Sequence, residues 1–98
     1  MTSPETPKRL TFVYQYRRQG ESRLWRPSQS HMIRRDPREP WAGSSVTVTG
    51  ASDSVVEVTV NLEIAADEDE DDSEWEAAQQ ADAAFRSHVP EADLGDAQ

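Results

Sequence analysis

The chain has 98 residues, of which 35% are hydrophobic, no cysteine, and a formal charge of −9. A length of this order limits it to one domain burying only about 60 to 65% of the surface its unfolded chain exposes, and the low apolar fraction leaves part of the chain outside the core. Without cysteine, a disulfide-stapled mini-protein and a thiolate metal centre are excluded, and no run approaches the roughly 18 apolar residues that span a bilayer.

Residues 1–8 carry Pro4 and Pro7 without an apolar period and read as a flexible tail ahead of a single domain over 9–89. The segment "LTFVYQYRR" alternates Phe12, Tyr14 and Tyr16 with Val13 and Gln15 and predicts a first strand ending at the turn "QGES". "SRLWR", residues 22–26, follows at hairpin distance and is expected to pair back, with Leu24 and Trp25 as anchors. Residues 27–44 hold Pro27, Pro37 and Pro40 with two arginine clusters and read as a long loop, inside which "SHMIRR" offers a short strand.

Next, "SSVTVTGASDSVVEVTVNLEI" predicts a strand near 45–49, a turn through Gly50 to Ser54 and a long strand near 55–64. Val56, Val58, Val60, Leu62 and Ile64 share one face of that strand, opposite Glu57, Thr59, Asn61 and Glu63, the period-two pattern of a sheet wet on one side. An acidic connector, 65–72, then leads to a helix over 73–89. Ser73 with Glu76 fits a capping box at its start, Pro90 ends it, and the predicted inward stripe is Trp75, Ala78, Ala81 or Asp82, Phe85 and Val89. Residues 90–98 read as a second tail. The fold class is therefore α+β: a small antiparallel sheet of three to four strands with one C-terminal helix on its apolar face, in ββββα or βββα order.

Charge is divided along the chain. Residues 1–41 hold nine basic against four acidic residues, a net +5, and residues 42–98 hold one basic against fifteen acidic residues, a net −14. A calcium loop starting at Asp67 places Asp69 and Asp71 correctly, but Asp72 stands where that loop needs glycine and Ala78 where it needs glutamate. No metal is expected, and no cofactor motif is present. His31 and His88 are the only histidines; no nucleophile elbow or zinc signature accompanies them, so no enzyme is expected. "MTSPETPKRLTF" lacks the apolar stretch of a signal peptide, which makes the cytoplasm the expected setting, the host's if the chain is phage-encoded.

Two binding readings remain. In the first, Asp67, Glu68, Asp69, Glu70, Asp71, Asp72, Glu74 and Glu76 form an acidic surface that is steered onto a basic surface of a nucleic-acid-handling partner. The helix dipole accounts for one or two of these carboxylates, and six consecutive ones repel each other. Small phage-type inhibitors of host defence or transcription share this build, a likeness of composition alone. In the alternative, a nucleic-acid or ribonucleoprotein accessory protein stacks bases on Tyr14, Tyr16 and Trp25 beside Arg17, Arg18, Arg26, Arg34 and Arg35; the net charge opposes direct nucleic-acid binding. A structural or assembly component ranks third, and a homodimer through an exposed edge strand is open. The leading expectation is a non-enzymatic acidic regulator or inhibitor, with no membrane role, whose acidic run is either that surface or a solvated linker.

Overall fold

The computed structural model describes residues 7–94. Strands β1 (Lys8–Arg17), β2 (Leu24–Arg35), β3 (Ser45–Ala51) and β4 (Val55–Ile64) precede helix α1 (Glu70–His88), and a two-residue strand β5 (Asp93–Leu94) follows it. The sheet runs β3-β4-β1-β2-β5. Its four long strands are antiparallel throughout with the helix packed against them, the ββββα order of the two that the sequence left open.

The centre is the pair β1 and β4, matched without a break from Lys8 opposite Ile64 to Arg17 opposite Val55. Leu10, Phe12, Tyr14 and Tyr16 from β1 and Val56, Val58, Val60, Leu62 and Ile64 from β4 are all buried on one face. Each contributes roughly 1.5 to 3 kcal/mol when removed from water, so this two-strand face supplies most of the core. Over it Phe85 stacks on Tyr16 at 4.5 Å between ring centroids and meets Trp25 edge-on at 5.3 Å.

Tyr14 and Tyr16 are the chain's only tyrosines, and both hydroxyls donate to the helix: Tyr14 to the Glu74 carbonyl at 3.3 Å, Tyr16 to the Asp82 carboxylate at 2.7 Å. Burial pushes both phenols well above their ordinary value of 10.0, aided by Glu74 and Asp82 at Tyr14 and by the Asp82 hydrogen bond at Tyr16. A folded value above the unfolded one gives stability that is complete below pH 10.0 and is lost as the unfolded phenols ionise above it. An alkaline titration should therefore show no tyrosinate absorbance until circular dichroism is lost, in one cooperative step. Gradual ionisation near pH 10.0 with the fold intact would show that these hydroxyls face solvent.

Several boundaries differ from the sequence expectation. β2 continues through Arg35, so the loop read over 27–44 shrinks to 36–44. Among the described residues, β2 has a strand neighbour on one side only from Arg26 onward, and an outer strand tolerates the missing amide of Pro27. The strand also carries a bulge: Gln15 faces Gln29 but Tyr16 faces Pro27, leaving Ser28 as the extra residue, its hydroxyl donating to the Gln15 carbonyl at 3.3 Å. One extra residue reverses the faces occupied by the β2 side chains before it, relative to those after it. Trp25 is thereby turned in beneath Phe85, and Arg26 is turned out beside Arg17.

The helix begins at Glu70, not Ser73, because Asp69 caps it four residues ahead of the expected Ser73 cap, its carboxylate accepting from the Asp71 amide at 2.9 Å. An aspartate cap is worth about 1 kcal/mol, as much as the serine cap expected at Ser73. Ser73 is instead 1% exposed, donating to the Asp69 carbonyl at 3.3 Å and approached at 3.4 Å by the Glu68 carboxylate. The buried face is Ser73, Ala77, Ala81 and Phe85. Small residues let the helix settle close to a sheet whose own side chains are large. Trp75, assigned to the core from sequence, lies about 200° of turn from Ser73 and is 68% exposed. The helix does end before Pro90, the Val89 amide donating to the Phe85 carbonyl at 2.8 Å.

Within the described residues, the inner ends of both predicted tails also depart from free tails. Lys8 begins β1 and donates to the Glu68 carbonyl at 3.1 Å. Asp93 and Leu94 pair in parallel with Leu24 and Trp25. The remainder of both predicted tails, 1–6 and 95–98, lies outside the described residues.

Candidate docking surface at the start of helix α1

The acidic run is a structured turn and a first helical turn, not a uniform connector. The Glu68 amide donates to the Ala65 carbonyl at 3.0 Å, a turn that presents Asp67 outward. Asp69 caps, and Glu70, Asp71 and Asp72 form the first turn, where the positive end of the helix dipole favours carboxylates. Asp67, Glu68, Asp69, Asp71, Asp72, Glu74 and Glu76 are exposed; Glu70 is half-buried. Glu76 accepts from Gln80 at 3.4 Å.

Internal neutralisation reaches one of the eight. Arg34 grips Glu70 with two of its guanidinium nitrogens, Nη2 at 2.6 Å and Nε at 3.0 Å. That hydrogen-bonded guanidinium holds the Glu70 carboxyl below its ordinary range, so the pair's stabilisation is present above pH 4.5 and fades as acid protonates Glu70 in the fold. Among the described residues the other ion pairs are Arg9 with Glu63, Arg35 with Glu39 and Arg38 with Asp36, and none involves the remaining seven carboxylates.

Trp75 stands in the middle of this surface, with Asp71, Asp72 and Gln79 as its neighbours one turn away on the helix. Sequence reasoning missed it. The signal available was the four-residue spacing of Ala77, Ala81 and Phe85, which marks a buried face that excludes residue 75.

The residues of the alternative reading do not form one surface. Tyr14, Tyr16 and Trp25 are buried in the core and present no ring face to a base, which removes the stacking platform that reading needs. Arg34 and Arg35 sit opposite Leu10 and Arg9, whereas Arg26 sits opposite Arg17, about 23 Å further along β1. Arg34 is committed to Glu70, and Arg35 to Glu39 at 3.9 Å and the Thr11 hydroxyl at 2.9 Å.

Among the described residues no group of three or more histidine or acidic side chains is placed to hold a metal ion, and no helix is long and apolar enough to cross a membrane. His31 and His88 are both exposed, on β2 and in the last turn of α1. No known protein family, curated protein or solved structure matches the chain.

Proposed function

We propose that the chain is a non-enzymatic binding protein that docks the start of helix α1 onto a basic partner surface, with Trp75 as the apolar anchor and the seven unpaired carboxylates as its charged surround. The observation that carries this reading is Trp75, 68% exposed on a helix whose other large aromatic, Phe85, is fully buried. A solvated linker needs no tryptophan. An exposed tryptophan ringed by polar groups has the composition of an interaction hot spot, and the carboxylates accelerate encounter with a positive groove.

Charge density supports a nucleic-acid-handling partner. Asp71, Asp72, Glu74 and Glu76 place four carboxylates on about 9 Å of helix axis, against about five phosphates on the same length of duplex. The Asp69 cap and the anchoring of Tyr14 and Tyr16 to the helix hold this array in a fixed direction. A small regulator or inhibitor competing for a nucleic-acid groove fits these features.

The test places a photo-crosslinking benzoylphenylalanine at position 75 in the native host. The expected product is an adduct with a basic protein, lost when Asp71→Asn, Asp72→Asn and Glu74→Gln are combined and unaffected by Arg17→Ala with Arg18→Ala. An adduct indifferent to the carboxylates and dependent on the arginines would sink the reading.

A further inference from the structure

At the other end of β1 from the acidic surface, about 30 Å away along its ten residues, the molecule gathers three arginines, Arg17, Arg18 and Arg26, that have no carboxylate partner among the described residues. The bulge at Ser28 sets Arg26 directly opposite Arg17 on the sheet face away from the helix. Like charges opposite one another in a sheet are unfavourable, and among the described residues neither guanidinium has a carboxylate within ion-pair reach. This arrangement works against folding, and such local conflicts are expected where a ligand resolves them.

Arg18 completes the group and is held in place. Its Nε donates to the Asp53 carbonyl at 2.6 Å, its Nη1 to the Ser22 carbonyl at 3.3 Å, and the guanidinium lies over the Trp25 ring at 5.2 Å. These partners are carbonyls and a ring, so the positive charge stays uncompensated while its position is fixed. Arg17, Arg18 and Arg26 line one cleft of about 580 Å³ with Ser22, Leu24 and Ser28. The Ser22 hydroxyl oxygen already accepts from the Leu24 amide at 3.1 Å, which leaves its proton free to donate.

From this geometry we infer that the Arg17–Arg18–Arg26 cleft binds phosphate oxyanions. A planar carboxylate is satisfied by a single guanidinium fork, whereas a tetrahedral phosphate accepts from several donors converging from different directions. Three arginines and two serines lining one open cleft suit a ligand carrying two or more phosphates. The inference stands on residues separate from the docking surface and survives if that reading fails.

Two probes identify the source of the phosphate: a fluorescein-labelled single-stranded oligothymidylate followed by anisotropy, and inorganic tripolyphosphate followed by calorimetry. Tighter binding of the oligonucleotide assigns the cleft to a phosphodiester chain, and tighter binding of tripolyphosphate to a small polyphosphate; either supports the inference. Arg17→Gln with Arg26→Gln should weaken the bound probe at least about tenfold. With the oligonucleotide, the same pair should reduce the salt slope by about 1.4, two phosphate contacts at about 0.7 each. Arg38→Gln removes the same charge from the loop after β2, where Arg38 is paired with Asp36, and should change either affinity less than about twofold. Three results would overturn the inference: neither probe binds at about 50 mM salt, Arg38→Gln weakens binding as much as the cleft variant does, or polyglutamate competes as well as the phosphates.

Discussion

Phe85→Ala is expected to remove about 3 to 5 kcal/mol of stability, the range for deleting a fully buried phenylalanine. The ring is inaccessible to solvent and joins three elements at once, stacking on Tyr16 of β1 and meeting Trp25 of β2 from its place on α1. Flanking Ala81 and Ala77 are too small to close the void. A domain of this size holds only about 5 to 15 kcal/mol in total, so the variant should lose a large share of its fold at physiological temperature. Urea unfolding followed by circular dichroism reads the change directly. A loss under about 1 kcal/mol would mean that the C-terminal half of the helix is not clamped to the sheet as described.

Trp75→Ala should do the reverse. With its ring mostly in water, truncation should alter stability by no more than about 0.5 kcal/mol. Against the partner captured through position 75, the same truncation should cost at least about 2 kcal/mol, or roughly thirtyfold in affinity, as anchoring aromatics do. Unfolding midpoints and titration calorimetry on one preparation separate the two effects. If the folding loss were as large as that of Phe85→Ala, Trp75 would belong to the core and the docking reading would lose its anchor.

The legible parts of this fold are those where one pattern acts alone. In β1 and β4 the alternation of apolar and polar residues corresponds directly to the two faces of the central pair, and Pro90 stops the helix because no competing signal lies nearby. The structure departs from the sequence expectation where two signals compete. Pro27 and the arginines of β2 argue for a loop, but an outer strand tolerates both, so the strand extends to Arg35. At the helix start, Asp69 and Ser73 are both competent caps; the earlier one wins because it adds a full helical turn of hydrogen bonds and places the small Ser73 against the sheet. Trp75 departs from expectation because hydrophobicity suggests burial, while its place on the helix, about 200° of turn from Ser73, faces it away from the sheet.

The acidic run was legible as a charged feature but not as a shape. Its division into turn, cap and first helical turn, and the single carboxylate surrendered to Arg34, depend on where β2 ends, and that depends on tertiary pairing. The arginines split for the same reason: strand register sends one group to the acidic end and another to the hairpin.

The extra residue at Ser28 makes the first hairpin sensitive to length more than to chemistry. Substitutions between Arg26 and Gln29 change a side chain in place, but a deletion there would restore an even count and exchange inside for outside, ejecting Trp25 and driving Arg26 beneath the helix. Among sequences descended from a common ancestor, this stretch should therefore drift in composition while keeping its residue count, because a gap here would unmake the core and the phosphate cleft in one step.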